Sequence, residues 1–297
     1  MEYDIVWDDS FDIGVEIIDK AHQKLTAIVR KMLTMTHDSD EEKKRKACEE
    51  GIKYFKSYAI QHFAEEESYM RSIDYEEYEK HRMLHSVMRD ITIPELELDL
   101  IEANYSDEAV ESFLGVCMGW LTGHIMIEDR KLTQAEPPKK DRRPGEEEIH
   151  HLARAMNQTI QDLFSLEASV KNERYDGEYF GKAVYYKLTY RNLHGEELYV
   201  IFAVEKPLVA KTVGKMLFLT FSKINKTVIA AMQQLSQQIM HSLHTYFAES
   251  DDTFSLTEDE MLNAKEFQQE FETGHSQYSL LFETELGYFA FFIHRPE

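Results

Sequence analysis

The sequence predicts two domains, an all-α up-down-up-down four-helix bundle followed by an α+β domain with an antiparallel sheet. A chain of 297 residues has the length of two domains of about 150 residues each. Apolar residues recur at helical spacing in the first half, whereas the second half also contains alternating runs typical of strands. Between them, residues 136–146 contain prolines and many charges, so we predict a linker there.

Four amphipathic segments make up the predicted bundle, residues 1–135, after an extended arm that folds back over it. The predicted helices span residues 16–36, 39–71, 75–91 and 106–132. Ser39 and Glu42 have the spacing of a capping box for the second helix, and Pro94 is expected to follow the end of the third. Helices of comparable length with short connections favour an up-down-up-down bundle.

The second domain, residues 147–297, alternates between helical and strand patterns. Its predicted helices span residues 147–170, 207–217, 223–247 and 258–271. Its predicted strands span residues 179–191, 197–204, 277–285 and 288–295. The last two strands form a closing hairpin around Leu286-Gly287. This order predicts helices packed on an antiparallel sheet.

Charge and cysteine content restrict the partners and the compartment. The formal net charge of −22 argues against nucleic acid and anionic membrane surfaces as partners. The N-terminus shows no signal-peptide pattern, and no run approaches the length of an apolar membrane span. Cys48 and Cys117 form no spacing motif and are expected to be packing residues. We therefore expect a cytoplasmic protein.

Seven candidate metal ligands fall on the four helices of the first domain. They are His22 on the first helix, His62 and Glu66 on the second, His81 and His85 on the third, and His124 and Asp129 on the fourth. The pairs on the second and third helices are four residues apart, so the members of each pair project to one side. Each candidate lies on or beside an apolar stripe, and buried imidazoles without partners are costly. A hydrogen-bonded histidine network is the alternative to a metal site.

The ligand types restrict the metal. The first domain has no thiolate cluster, which argues against structural zinc of the finger type. Imidazole with carboxylate suits iron, manganese or zinc. Seven side chains are too many for one tetrahedral ion but suit two adjacent ions bridged by Glu66 and Asp129. The Glu-x-x-His pattern of ferritin-like dinuclear sites is missing.

The motifs of the first domain resemble those of bacterial hemerythrin over nearly all of residues 1–135. They are Trp7, Gly14, Ile18-Asp19, His22, His62-Phe63, Glu65-Glu66, His81, His85, Trp120-Leu121, His124-Ile125 and Asp129. The resemblance implies two iron ions bridged by Glu66, Asp129 and an oxo or hydroxo group. It further implies three histidines on one iron, namely His81, His85 and His124. The other iron, held by His22 and His62, has an open position for dioxygen.

Several neighbours of the ligands carry weaker expectations. Leu25, Trp120 and Leu121 are candidates for lining the dioxygen position, with plain packing in the bundle core as an equal alternative. Glu65 and Glu67 flank Glu66 in sequence and are expected to face solvent.

The element order of the second domain is similar to that of the CheX and CheC family of chemotaxis phosphatases. That resemblance implies a response regulator or chemotaxis protein as partner and a homodimer formed through this domain. Family members use a Glu and, three residues later, an Asn on an exposed helix. The matching positions hold Gln234 and Gln237, so the catalytic pattern is not retained. A solvated glutamine-rich helix face is the alternative to a site.

Together these features predict a diiron oxygen or redox sensor in chemotaxis or two-component signalling, with a dimerising and catalytically degenerate output domain. Three alternatives to this interpretation stay open. The first is an oxygen carrier or scavenger whose second domain sets the oligomeric state. The second is an oxygen-gated response-regulator phosphatase, and the third is a peroxide or nitric oxide reductase.

Overall fold

The protein is represented by a computed structural model in which most of the chain is described. The described residues are 7, 9–35, 41–133, 147–217, 220–221, 223–243, 254–273 and 276–295. They form two compact units, the first mainly of residues up to 138 and the second mainly of residues from 139 onwards. The predicted linker and Ser39 of the predicted capping box lie outside the described residues, so both stay predictions.

The described part of the first unit is helical, as predicted. Its α-helices are α1 (Glu16–Met35), α2 (Glu41–Ser72), α3 (Tyr78–Val87), α4 (Ile93–Glu102) and α5 (Asp107–Ile127). A 3-10 helix, Asp129–Leu132, follows α5. Ser106 caps α5, since its hydroxyl oxygen accepts a hydrogen bond from the Ala109 N–H at 3.4 Å.

The third predicted helix does not end before Pro94. A π-helical turn, Met88–Thr92, continues α3 into α4, where the proline occupies the first turn. The N–H of Ile93 donates to the carbonyl of Met88, five residues earlier. The π-helical turn interrupts the regular i→i−4 hydrogen-bond pattern directly before Pro94, and proline is tolerated inside a helix where that pattern is already broken. The expected helix end is therefore wrong, and α3 and α4 form one continuous rod, residues 78–102.

The described end of the N-terminal arm is fastened to the bundle. It contains a short 3-10 helix, Asp9–Phe11, and the side chains of Phe11 and Ile13 are buried. The Asp19 carboxylate accepts hydrogen bonds from the backbone N–H groups of Ile13 at 2.7 Å and Gly14 at 3.1 Å. The arm thus packs on the bundle as the sequence predicts.

Helix α5 is the most buried helix of the described bundle. The segment Asp107–Leu132 is long and apolar enough to cross a membrane, but 72% of its apolar window is buried inside the protein. Burial of this kind is expected for the core helix of a bundle. Cys117 on α5 and Cys48 on α2 are buried free thiols, in agreement with a packing role.

The second unit is an α+β fold with an antiparallel sheet, as predicted. The α-helices of this half of the chain are α6 (Glu148–Phe164), α7 (Lys206–Leu217), α8 (Lys226–Leu243) and α9 (Ala264–Thr273). Residues 216–217 of α7 and 226–234 of α8 group with the first unit. The strands of the second unit are β1 (Ala168–Asn172), β2 (Ala183–Arg191), β3 (Glu197–Glu205), β4 (Ser255–Leu262), β5 (Ser276–Thr284) and β6 (Gly287–His294). The strand order is β1-β5-β6-β3-β2-β4, and all neighbours are antiparallel.

Two predicted helices of this half of the chain, 147–170 and 258–271, include residues that are in strands. Helix α6 ends at Phe164 because Ser165 adopts the left-handed conformation with φ 54°, and strand β1 follows. The predicted helix 258–271 begins instead inside β4, which pairs with β2 along its length. Its acidic, exposed side chains resemble a solvated helix face, but cross-strand pairing decides the conformation.

Strand β6 is the centre of the sheet's core. Consecutive residues from Phe289 to Ile293 are buried, so both faces of this strand are covered. On one face, Phe292 packs with Phe267 of α9, with ring centroids 6.2 Å apart. On the other, Phe291 contacts Phe202 of β3 at 5.2 Å between centroids.

Replacing Phe291 with alanine tests this core. We expect Phe291→Ala to lower the free energy of unfolding of the second unit by about 3–5 kcal/mol, because it removes a fully buried ring. Urea denaturation followed by circular dichroism measures the change. Tyr179→Ala is the control, since Tyr179 is 79% exposed and its loss should change stability by less than about 0.5 kcal/mol. Equal losses in the two variants would contradict the assigned core.

Candidate metal centre

All seven predicted ligands lie together inside the first unit. They are His22 from α1, His62 and Glu66 from α2, His81 and His85 from α3, His124 from α5 and Asp129 from the 3-10 helix. Each is between 0% and 2% exposed. We call His81, His85 and His124 the three-histidine group, and His22 and His62 the two-histidine group.

The three-histidine group directs its ring nitrogens at one point. The Nε2 atoms of His81 and His85 lie 3.0 and 2.9 Å from Nε2 of His124. An octahedral ion with bonds of about 2.1 Å holds neighbouring ligand atoms about 3.0 Å apart. The spacing of these nitrogens is therefore that of three ligands on one face of a metal ion. Glu66 also belongs to this potential metal-binding cluster.

Glu66 lies between the two histidine groups. Its Oε1 is 2.8 Å from Nε2 of His81, while its Oε2 is 3.3 Å from Nε2 of His62. His62 and Glu66 face the same side of α2 because they are one helical turn apart. One carboxylate thus presents one oxygen to each group, which is the arrangement of a bridging ligand.

Asp129 has the same relation to both groups, although a continuous α-helix would not place it there. On a continuous α-helix, residues five apart such as His124 and Asp129 would not face one side. Helix α5 ends at Ile127, and the tighter 3-10 turn directs the Asp129 carboxylate inward. Its Oδ1 is 3.1 Å from Nε2 of His124, and its Oδ2 is 3.1 Å from Nε2 of His22. Two carboxylates therefore connect the two groups.

The close atoms of the two-histidine group and of the carboxylates are not hydrogen-bonded to one another. Both ring nitrogens of His22 and His62 and both carboxylate oxygens of Glu66 and Asp129 are buried without a hydrogen-bond partner among the described residues. Buried polar atoms in this state cost several kcal/mol each unless a cation or proton compensates them. A hydrogen-bonded histidine network would give these atoms partners. Instead, the lone pairs of Nε2 and of the carboxylate oxygens face a shared point, which suits metal ions. The residues present fit a dinuclear metal centre.

Burial shifts the ionisation of the same groups. It lowers the pKa of His85 to about 3 and also lowers the pKa of His62, so both rings are neutral and able to donate a lone pair. Burial and the neighbouring Asp129 raise the pKa of Glu66 to about 8. Without a cation, Glu66 therefore keeps a proton at neutral pH, and a bound metal ion would replace that proton.

Two aromatic rings hold the ligands of the three-histidine group. Phe63 is stacked on His85 with ring centroids 4.3 Å apart and planes inclined by 13°. Trp120 is stacked on His124 at 4.4 Å and 14°. Phe63 and Trp120 contact each other at 5.4 Å. The pair restricts the rotation of both imidazoles and so keeps Nε2 directed at the centre.

The three residues predicted to line the dioxygen position divide into two cases. Leu25 and Leu121 are buried in the bundle, which agrees with lining and with packing alike. Trp120 contacts His124, which belongs to the three-histidine group rather than to the two-histidine group with the predicted open position. A role of these side chains at that position stays a prediction.

Glu67 is a residue of the site that the sequence did not reveal. Its Oε1 lies 3.3 Å from Nδ1 of His85, whose Nε2 faces the centre, so Nδ1–H donates to this carboxylate. That hydrogen bond is the main cause of the lowered pKa of Glu67. The expectation that Glu67 faces solvent is therefore wrong. A carboxylate behind a ligating histidine fixes its tautomer and makes it a stronger donor to the metal.

The glutamines predicted at the phosphatase position lie on α8. The Nε2 of Gln237 donates to the hydroxyl of Tyr186 at 2.8 Å, and that hydroxyl donates to Asp259 at 2.7 Å. This chain of hydrogen bonds ties α8 to strands β2 and β4. Gln237 thus has a structural role. That Gln234 and Gln237 form a degenerate catalytic motif stays a prediction.

Two histidine groups that share two buried carboxylates define the class of this bundle as a dinuclear metal-binding helical protein. Residues 13–135 match the family model described as Hemerythrin HHE cation binding domain. A bacteriohemerythrin of Clostridium acetobutylicum is 31% identical over 128 residues, which are 42% of this chain and 96% of that protein. The chain belongs to the hemerythrin family through these residues.

Solved structures of chemotaxis proteins resemble the C-terminal half of the chain. A CheC-like superfamily protein from Shewanella sp. PV-4 is 11% identical, with a TM-score of 0.41, over 51% of this chain and 99% of that one. The chemotaxis protein CheX from Vibrio vulnificus is 14% identical, with a TM-score of 0.39, over 49% of this chain and 96% of that one. Similarity at this level carries no conclusion about function.

Replacing His62 with alanine tests the two-histidine group. We expect His62→Ala to reduce the metal content of the anaerobically ferrous-loaded protein to about half, because His22 alone cannot hold the second ion. Elemental analysis after desalting measures the change. Glu65→Ala is the control, since Glu65 accepts a hydrogen bond from Gln61 on the same helix and touches no ligand among the described contacts. Equal metal contents in the two variants would contradict the assignment.

Replacing Glu67 with glutamine tests the hydrogen bond to His85. We expect Glu67→Gln to weaken metal retention about 10- to 100-fold, because the neutral amide no longer supports the His85 ligand. Competition with a chelator gives the affinity. Glu65→Gln has the same change of charge one position earlier and should retain metal as the unchanged protein does. A Glu67→Gln affinity equal to that of this control would remove Glu67 from the site.

Proposed function

We propose that the first domain binds dioxygen at a centre of two iron ions bridged by Glu66, Asp129 and an oxo or hydroxo group. The main support for the proposal is that each carboxylate places one oxygen near each histidine group. Membership in the hemerythrin family supports iron over the other metals that suit these ligands.

The unequal histidine groups support a specific division of roles. His81, His85 and His124 would hold one iron, and His22 and His62 the other. With the two carboxylates and the bridging group shared, the second iron would have one protein ligand fewer. We infer that dioxygen would bind there, and that the ferrous iron held by these residues would supply the electrons for this binding.

The chain's own residues favour reversible binding over oxidation chemistry. Five imidazoles and two carboxylates form a less anionic ligand set than the carboxylate-rich ferritin-like sites. The seven ligands are between 0% and 2% exposed, so water and external proton donors have little access to the centre. Because protons are excluded, dioxygen bound at the centre would be lost more slowly as a reduced and protonated species.

We further propose that the second domain reports the oxygen state, so that the protein is a cytoplasmic oxygen or redox sensor. The support is the presence of a second, α+β unit that contributes none of the seven ligands of the metal centre. A ligand shifts a conformational equilibrium only if it binds the two states differently. An effect of oxygen on this domain therefore separates the sensor from the carrier and scavenger alternative. The response regulator partner, the phosphatase alternative and the reductase alternative each have a separate test.

The proposed homodimer of the second domain would use the edges of its sheet. The edge strands are β1 and β4. Strand β4 carries Glu258, Asp259 and Glu260, which are exposed, and like charges disfavour the pairing of two such edges. Dimerisation by sheet extension would therefore use β1.

Hydrogen exchange tests the sensor function. We expect oxygen to change the exchange rates of peptides from residues 147–295 in the diferrous protein, because binding shifts the population of a coupled state. Mass spectrometry under anaerobic and oxygenated conditions measures this. His62→Ala should abolish the difference, while Glu65→Ala should keep it.

A difference confined to residues 9–133 would contradict coupled sensing and favour an oxygen carrier. Oxygen-dependent shortening of the lifetime of a phosphorylated response regulator would identify the phosphatase alternative. Turnover of peroxide or nitric oxide at the loaded centre would identify the reductase alternative.

A further inference from the structure

The 3-10 helix that carries Asp129 is fastened to the N-terminal arm just after this ligand. The Arg130 guanidinium donates a hydrogen bond to the carbonyl of Ser10. The Thr133 hydroxyl, four residues after Asp129, donates to the carbonyl of Ile13 at 2.7 Å. The arm therefore holds the chain on the C-terminal side of Asp129.

The same part of the arm is fastened to α1 by Asp19. This buried carboxylate accepts hydrogen bonds from the N–H groups of Ile13 at 2.7 Å and Gly14 at 3.1 Å. A carboxylate makes stronger hydrogen bonds with backbone N–H groups than a neutral acceptor does. Asp19 lies three residues before His22, so both project from one side of α1. Ile13 is thus bonded through its N–H to the helix of His22 and through its carbonyl to the turn of Asp129.

We call the hydrogen bonds of Asp19 and Thr133 with the arm backbone the arm clamp. Helix α5 ends at Ile127, before Asp129, so α5 alone does not fix this ligand. In the turn that follows, the N–H of Thr133 donates to the carbonyl of Arg130 at 3.3 Å, in a three-residue pattern whose geometry is poorer than that of an α-helix. A ligand has to be held within about 0.5 Å of its productive position. The arm clamp supplies a further hold on this turn.

The arm clamp joins two ligands that lie side by side. Nε2 of His22 is 3.1 Å from Oδ2 of Asp129, at the position that the two-histidine iron would occupy. The three-histidine group is held differently, by the rings of Phe63 and Trp120 stacked on two of its members. The two halves of the centre therefore have different supports.

We propose that Asp19 and Thr133 are positioning residues for the two-histidine iron. Through the backbone of Ile13, they keep His22 and Asp129 at the separation that one ion requires. This role rests on the diiron centre proposed above, and it makes one iron depend on the arm more than the other. Loss of the arm clamp would loosen two of the four protein ligands of the two-histidine iron, whereas the other iron keeps all three of its histidines.

Replacing Asp19 with asparagine tests the arm clamp, since the amide nitrogen cannot accept a hydrogen bond from a backbone N–H. The full-length ferrous protein is titrated anaerobically with a chelator, and native mass spectrometry counts the chains with two, one and no irons. We expect Asp19→Asn to lose one iron at a chelator concentration about tenfold lower or more, because hydrogen bonds behind metal ligands change affinity about 10- to 100-fold. The other iron should leave at the same concentration as in the unchanged protein.

Glu16→Gln is the matched control on α1. It makes the same change of charge one turn earlier, where Glu16 pairs with Lys20 on the helix surface. This variant should release both irons as the unchanged protein does. Urea unfolding of the metal-free variants measures any general loss of bundle stability, which would release both irons earlier.

Thr133 gives an independent test, since its hydroxyl can be removed with little change of shape. Thr133→Val keeps the branched side chain but cannot donate to Ile13, whereas Thr133→Ser keeps the donor. We expect Thr133→Val to ease the release of the same iron about two- to tenfold, which is the contribution of a single hydrogen bond. Thr133→Ser should behave as the unchanged protein does.

These variants separate the positioning role from a merely structural one. Early release of one iron in Asp19→Asn and Thr133→Val alone supports the positioning role. Equal release by Asp19→Asn and Glu16→Gln, or equally early release of both irons, would overturn it. Fewer than two irons in the unchanged protein would contradict the diiron centre itself, and the positioning role with it.

Discussion

The bundle depends on two buried carboxylates, Glu66 and Asp129, that lie between five imidazoles without hydrogen bonds of their own. Ions in the protein interior are destabilising unless an opposite charge compensates them. A dinuclear cation centre supplies that charge and uses the lone pairs of both carboxylates and of Nε2 of His22 and His62. The need for this compensation explains why four helices and a 3-10 turn all direct polar side chains into an otherwise apolar core. It also explains why the metal is expected to stabilise the fold as well as to supply its chemistry.

The ligand set could be predicted from the sequence because its logic is local. His62 with Glu66, and His81 with His85, follow the one-turn spacing of a helix, which needs no tertiary information. Glu67 could not be found in this way. It follows Glu66 directly and should turn away on the same helix, and only the packing of α2 against α3 brings it to Nδ1 of His85. Which residues support the ligands of a site therefore depends more on the packing of neighbouring helices than on sequence spacing.

The secondary-structure elements that were predicted wrongly have a related cause. The π-helical turn at Met88–Thr92 lets a helix continue through Pro94, where the rule for proline predicts an end. Strand β4 has the charge pattern of a solvated helix, but it pairs with β2 across more than sixty residues of sequence. The closing hairpin was predictable because turn and strand signals are adjacent there. Local signals thus predict elements well where tertiary pairing does not override them.

Magnetic susceptibility of the ferric protein tests whether Glu66 and Asp129 bridge two iron ions. Two ferric ions joined by an oxo or hydroxo group with these carboxylates couple antiferromagnetically. We therefore expect two irons per chain and a magnetic moment that falls towards zero on cooling. One iron per chain, or two irons with the full moment of independent high-spin ions, would contradict bridging by these carboxylates.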